Sequence, residues 1–178
     1  MDINQKNRKE TVKIQRGSRI MCKAAEVGKI VINKCINMGL DINSQKLQKL
    51  LVLMQIECIK TSGQPLFKQD VLVWTCGVVI KEVNEEFSWL GGNFVSKQEE
   101  YIILLDREEE SVNEILNEYG NLDAIELNSL PINQKVISMG IKHENETYAH
   151  VTAERMAEEF KNDKANRLLK TFKTKYHY

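Results

Sequence analysis

Histidines and cysteines are the side chains that most often support catalysis or bind a metal, and here their spacing fits neither role. The three histidines are His143, His150 and His177. The separation of the first two does not match the H-E-x-x-H helix or another common zinc spacing. The chain has no G-x-S-x-G, P-loop or G-x-G-x-x-G motif. We therefore expect a protein that is not an enzyme and that has no catalytic residues, no metal and no cofactor.

The cysteines suggest packing rather than redox chemistry. Cys22, Cys35, Cys58 and Cys76 lie far apart and form no C-x-x-C pair. The amino terminus is polar and does not resemble a signal peptide, and no stretch approaches the roughly 18 apolar residues of a membrane span. Reduced cysteines are typical of the cytoplasm and often behave as small core residues. We therefore expect four buried, reduced cysteines in a cytoplasmic protein without membrane contact.

Non-covalent binding is the chemistry that the remaining residue types suit. Trp74 could anchor a partner, because tryptophan is enriched in interface hot spots. It could also pack in the core against the helix that carries Leu47 and Leu51, which is the interpretation favoured by the usual burial of large aromatics. Trp89 fits either role. Lys46 and Lys49 could pair with acidic groups of a partner, although exposed lysines usually only solvate a helix face.

Charge is balanced overall but unevenly distributed. The chain has 25 basic and 25 acidic residues. Basic residues predominate at both ends, in residues 1–23 and 161–178, while residues 82–118 are strongly acidic. The basic ends allow contact with nucleic acid through phosphate charges. The acidic middle argues against a large continuous footprint, so nucleic-acid binding is the less favoured class of function.

The first half of the chain has clear helical periodicity. From Ile20 onward, apolar residues recur at three- and four-residue steps and end at Gly39. A second helix is predicted with Asn43 or Ser44 as its cap and Ser62-Gly63 as its end. Its apolar stripe consists of Leu47, Leu50, Leu51, Met54 and Cys58.

The second half alternates short elements with turns. Residues 71–79 have β preference and contain an irregular turn at 75–77, and a helix should follow through Val83 and Phe87. Ser96 and Glu99 fit a capping box, although residues 101–105 could form a short strand instead. Another helix should run from Arg107 to Gly120.

Three further elements complete the predicted fold. Asp123 should cap a short helix, Pro131 should open another, and residues 143–151 could form a strand or a loop. Thr152 should cap a last helix that carries Met156, Phe160, Leu168 and Leu169. The expected fold is mainly α, a compact multi-helix single domain with room for one or two short strands. Its expected segments are a basic arm or marginal helix at 1–19, the domain at 20–160, and a basic helical extension or tail at 161–178.

Five motifs in order resemble the Panacea domain, the SocA-like or phage-associated GepA family. Residues 46–51 read K-L-Q-K-L-L, residues 63–67 read G-Q-P-L-F, and residues 73–79 read V-W-T-C-G-V-V. Residues 83–87 follow as V-N-E-E-F, and residues 118–127 read E-Y-G-N-L-D-A-I-E-L. Typical members read K-L-Q-K-L-L-Y, G-x-P-L-F, A-W-x-Y-G-P-V-V, V-Y-x-x-F and Y-G-x-x-S-x-x-E-L. The resemblance covers roughly residues 24–140.

The resemblance implies a compact helical antitoxin that neutralises a toxin by direct contact. Four positions depart from the family pattern: Val52 and Asn84 replace tyrosines, Cys76 replaces the usual aromatic, and Val78 after Gly77 replaces proline. These departures fit either a retuned partner surface or positions that only pack. The candidate partner-binding residues are Lys46, Lys49, Trp74, Cys76, Gly77, Val78, Asn84 and Trp89.

The resemblance leaves two alternatives within protein binding. A phage- or prophage-borne relative could inhibit a host defence protein, and SocA itself also delivers its toxin to a protease as an adaptor. The sequence sets neither the partner's identity nor the oligomeric state.

Overall fold

The computed structural model describes residues 21–88 and 104–162. These residues form seven α-helices and three short β-strands, so the expected mainly α single domain is confirmed, with one strand more than expected. In chain order the elements are α1 Ala24–Met38, α2 Ser44–Ser62, β1 Val71–Trp74, β2 Gly77–Val79, α3 Lys81–Phe87, α4 Asp106–Tyr119, α5 Ala124–Ser129, α6 Pro131–Ser138, β3 Ala149–Val151 and α7 Ala153–Phe160.

Helix α2 is the central element of the fold. Its first turn is capped by Asn43, whose side chain accepts a hydrogen bond from the Lys46 backbone N–H at 2.9 Å. It contacts the other six helices and β2. All five residues of its predicted stripe are buried, and so are side chains on its other faces, including Val52, Leu53, Ile56 and Ile59. From Lys46 to Ile59 only Glu57 is not buried, so this part of the helix has no solvated face.

This enclosure overturns the expectation that Lys46 and Lys49 lie on an outer helix face. Their exposed fractions are 5% for Lys46 and 2% for Lys49. The expectation was wrong because it treated every position off the Leu47–Cys58 stripe as solvent-facing. In the fold, α4 and α5 cover one flank of α2, and β2 and α3 lie against another.

The small sheet is antiparallel, with the strand order β2-β1-β3. Strands β1 and β2 form a hairpin in which Trp74 pairs with Gly77, so only Thr75 and Cys76 lie between them. Strand β3 pairs with the other edge of β1, with Val71 opposite Val151. The irregular turn predicted at 75–77 is thus a hairpin, and the predicted helix follows it directly as α3.

The predicted helix boundaries are largely confirmed. Asp123 and Glu126 form the expected capping box of α5, Pro131 opens α6, and the Thr152 side chain caps α7. The predictions for the basic arm at 1–19, for Ser96 and Glu99, and for Leu168 and Leu169 lie outside the described residues.

Three of the four cysteines follow the prediction. Cys22, Cys35 and Cys58 are buried, whereas Cys76 is exposed, and none of the four forms a disulfide within the described ranges. The expectation of a buried Cys76 was wrong because this residue occupies the exposed tip of the β1–β2 hairpin. In the two described ranges, no helix is long and apolar enough to cross a membrane.

Candidate functional site

One pocket brings together four of the eight predicted contact residues. Lys49 reaches it from α2, Trp74 and Cys76 from the β1–β2 hairpin, and Asn84 from α3. Its volume is about 300 Å³. The complete lining consists of Ser44, Gln45, Gln48, Lys49, Trp74, Cys76, Val79 and Asn84, which we call the α2–hairpin pocket.

The other predicted residues have different positions. Gly77 and Val78 belong to β2 and are buried beside the pocket wall formed by Val79. Lys46 does not line the pocket, because its ammonium group points to the carboxyl end of α4. Trp89 lies outside the described residues.

Three buried polar side chains of α2 each hold a different segment of the fold. The Lys46 Nζ donates to the Gly120 backbone oxygen at 2.6 Å. The Gln48 Oε1 accepts from the Ile80 N–H at 2.8 Å. The Gln55 side chain accepts from the N–H groups of Leu66 and Phe67 and donates to the Phe67 oxygen. These bonds satisfy polar groups that would otherwise be costly to bury.

Lys49 is the fourth buried polar side chain of α2, and it differs from these three. It forms no ion pair with a carboxylate and no hydrogen bond among the residues of the described ranges. Burial lowers the pKa of Lys49 from its usual value, and the nearby Cys76 thiol has the opposite, smaller effect. An ammonium group without a counter-ion therefore lies in the wall of the pocket.

Two neutral donors beside Lys49 are also unpaired. Because the Ile80 N–H can only donate, it fixes the Gln48 amide with its oxygen toward Ile80. The Gln48 Nε2 is then left without an acceptor in the described part of the chain, and the same holds for the Trp74 Nε1. Two residues of the lining therefore hold donors that the protein encloses and that no described residue accepts.

Trp74 is not the core tryptophan that the sequence favoured. It is half-buried, and its ring stacks on Tyr148, with 4.8 Å between the ring centroids and an angle of 23° between the planes. Tyr148 is itself 39% exposed. The pair forms a rigid aromatic surface beside the pocket, of the kind that is enriched at protein interfaces.

Gly77 fixes the geometry of the hairpin next to this surface. Its φ of 102° lies in a region that side chains other than glycine rarely adopt. A Cβ atom at this position would also overlap the Oδ1 of Asn128 on α5. The close approach of Gly77 and Asn128 therefore sets where Trp74 and Cys76 are placed.

Sequence reasoning missed two important residues of this site. Gln48 lies inside the K-L-Q-K-L-L segment, and a polar residue within a strongly apolar helix is a signal that could have identified it. Tyr148 gives no such signal, because its stacking on Trp74 depends on the pairing of β3 with β1. Asn128 likewise meets Gly77 only through the tertiary fold.

Metal binding has no support in the described ranges, which contain no group of three or more His, Cys, Asp or Glu residues that could hold an ion.

Comparison with known proteins identifies the family of the chain. No curated protein and no solved structure matches it. The family model described as "Antitoxin SocA-like, Panacea domain" matches residues 47–136, half of the chain. This match begins in α2, includes both hairpin strands and α3, and ends in α6. The chain therefore belongs to the SocA-like antitoxin family that is defined by the Panacea domain.

Proposed function

We propose that this protein is an antitoxin that neutralises a cognate toxin by direct, non-covalent contact. Family membership supports an antitoxin-type role. Neutralisation of this kind needs an interface of about 1,200–2,000 Å² in total and no catalytic step. We place the complex in the cytoplasm, where the four cysteine thiols would remain reduced.

The observation that carries the proposal is the convergence of Lys49, Trp74, Cys76 and Asn84 on one pocket. These residues come from α2, the hairpin and α3, and they combine the Lys49 ammonium group, which has no counter-ion in the described ranges, with the aromatic ring of Trp74. A core that served stability alone would pair such groups or replace them with apolar ones. A cation without a counter-ion in a pocket wall instead suits an anionic group supplied by another molecule.

The surroundings of the pocket offer additional contact area. Tyr148 extends the aromatic surface of Trp74. On α5, the exposed Ile125 lies one helical turn before Asn128, which packs against Gly77. Ile125 is 77% exposed, which is unusual for a side chain of its size and polarity. We propose that the toxin covers this surface and places one polar group in the α2–hairpin pocket.

Growth rescue tests this function. The chain would be co-expressed with the product of the adjacent reading frame, with Cys76→Arg and Thr75→Arg as matched variants. Both residues are exposed at the hairpin tip, but only Cys76 lines the pocket. We expect rescue by the wild type and by Thr75→Arg, and loss of rescue by Cys76→Arg at equal protein levels.

Each other outcome has a distinct meaning. Absence of toxicity in the neighbouring product, combined with protection of phage, would replace the antitoxin proposal with inhibition of a host defence protein. Faster proteolysis of the bound protein would indicate an adaptor. Recovery of DNA or RNA alone would contradict protein binding. Full rescue by Cys76→Arg would place the toxin contact on another surface.

A further inference from the structure

We propose that the α2–hairpin pocket is a carboxylate-binding site that receives an acidic group of the protein partner. Nothing in the family match assigns a ligand to this pocket. The inference rests on the proposed function only for the identity of the molecule that carries the carboxylate. The chemistry of the pocket itself follows from its lining residues.

The donors of the pocket match a carboxylate. Lys49, a residue that is 2% exposed, supplies a cation, and Gln48, which is 3% exposed, has an enclosed Nε2 group without an acceptor in the described ranges. The Trp74 Nε1 is a third donor without a partner in the described ranges, and like the Gln48 Nε2 it is covered by protein, so a carboxylate paired with Lys49 would reach these two donors only after side chains shift. An ionised carboxylate has two oxygens that only accept, with room for about four hydrogen bonds. Its bonds to such donors would be stronger than those of a neutral acceptor.

Gln48 is held ready for this role by the protein itself. Its Oε1 is engaged by the Ile80 N–H at 2.8 Å, so the amide cannot exchange the positions of its oxygen and nitrogen without losing that bond. A buried amide group with a free Nε2 is costly unless a ligand or a water molecule satisfies it. The fixed orientation therefore selects for an acceptor and against a donor.

The charge of the pocket favours a monoanion. Among the described residues of the lining, Lys49 is the only charged one, and the others are neutral polar or apolar side chains. One ammonium group balances one carboxylate, whereas a phosphate dianion would leave an uncompensated charge in a partly desolvated site. The Trp74 ring and Val79 provide apolar surface for the methylene groups of an acidic side chain.

The carboxylate could come from an Asp or Glu side chain or from the end of a chain, and a titration with small probes separates these sources. The probes are N-acetyl-glutamate N-methylamide for a side chain, N-acetylglycylglycine for a chain end, the N-methylamide of N-acetylglutamine as the neutral isostere, and inorganic phosphate. The titration is followed by NMR. The chain contains two tryptophans, so the indole N–H region of its spectrum has two signals. The signal that disappears in Trp74→Phe belongs to Trp74.

We expect at least one carboxylate probe to shift the Trp74 indole N–H signal to saturation at constant ionic strength. The neutral isostere should bind about tenfold more weakly, because it lacks the charge-assisted bond to Lys49. Whichever carboxylate probe binds more tightly identifies the source. Lys49→Met should abolish the shift, whereas Lys81→Met, at a lysine whose side chain is 71% exposed, should preserve it.

Three results would overturn the inference: no saturable shift with either carboxylate probe, equal binding of the neutral isostere, or tighter binding of phosphate. The comparison of probes uses the wild-type chain, so it remains decisive even if Lys49→Met fails to fold. It also contains no toxin. Failure of the titration alongside a stable toxin complex would therefore reject the carboxylate site and leave the antitoxin proposal intact.

Discussion

The Lys46 Nζ donates a 2.6 Å hydrogen bond to the backbone oxygen of Gly120, which links the start of α2 to the carboxyl end of α4. A positive group at this end of a helix also interacts favourably with the helix dipole. Burial lowers the pKa of Lys46, while Cys35, and after it Asp41, Asp123 and Glu126, have the opposite effect. Lys46 thus stabilises the fold through a buried hydrogen bond, whereas Lys49, one turn later, has no hydrogen-bond partner in the described ranges.

This contrast predicts opposite effects of one substitution at two positions. Lys46→Met should lower the free energy of unfolding by about 1–3 kcal/mol, because it leaves the Gly120 oxygen buried without its donor. Lys49→Met should leave it unchanged or raise it by about 1 kcal/mol, because it removes a buried ammonium group that lacks a counter-ion. Urea unfolding measures both values, with Lys81→Met as the exposed control. A larger loss of stability in Lys49→Met than in Lys46→Met would contradict this assignment of roles.

Gly77→Ala should be strongly destabilising for two separable reasons. The positive φ of 102° and the overlap with Asn128 together should cost about 2–4 kcal/mol. Gly39→Ala is the matched control, because Gly39 has a φ of 67° but no atom within 4 Å of an added Cβ, and it should cost about 1 kcal/mol. Adding Asn128→Ala to Gly77→Ala should recover the part of the cost that exceeds that of Gly39→Ala, because it removes the overlapping atom. A double-mutant cycle measures this recovery. Additive effects in that cycle would show that the two residues do not interact.

The thiols should differ sharply in their reactivity in the native state. Cys76 is exposed, while Cys22, Cys35 and Cys58 are buried. A chromogenic disulfide reagent should therefore modify one thiol rapidly and the remaining three only as the protein unfolds. The rapid phase should disappear in Cys76→Ser. A rapid phase that persists in this variant would show that a second cysteine is accessible.

Alkaline pH should weaken the fold through Cys35. Burial raises the pKa of its thiol from 9.0 to about 11, and the neighbouring Lys46 has the opposite, smaller effect. Between these two values the unfolded chain loses the thiol proton while the folded chain keeps it. The stabilisation is therefore complete below pH 9 and falls as the pH rises, by at most about 1.4 kcal/mol per pH unit.

Cys35→Ala isolates this contribution from other titrating groups. At about pH 8 the variant should be less stable than the wild type by about 1 kcal/mol, because a small cavity replaces the sulfur atom. By about pH 10.5 the difference should become smaller or change sign, since only the wild type loses stability through this thiol. A difference that stays constant across this range would show that the Cys35 pKa is not raised by folding.

The local features of the fold could be predicted from sequence because neighbouring residues determine them. Asn43, Asp123 and Thr152 cap helices through side-chain bonds to backbone N–H groups two or three residues away, and each cap was predicted. The hairpin was recognised only as an irregular turn, because its strand pairing depends on contacts across the sheet.

The site was harder to predict because its properties arise from long-range contacts. Lys46 and Lys49 read as solvated lysines until the enclosure of α2 by the other helices is known. The stacking of Trp74 on Tyr148 depends on the pairing of β1 with a strand near the end of the domain. Family resemblance supplied four of the pocket residues, but it did not indicate that they would meet around an unpaired cation.

Direct binding of the purified chain to the product of its adjacent reading frame tests the central claim. Calorimetric titration would compare the wild type, Cys76→Arg and Thr75→Arg at one salt concentration. We predict a stable complex with the wild type and with Thr75→Arg, and affinity at least about tenfold weaker for Cys76→Arg, which corresponds to about 1.4 kcal/mol. Absence of binding by the folded wild-type chain would contradict the proposed antitoxin function, and equal affinities for the two arginine variants would contradict the proposed site.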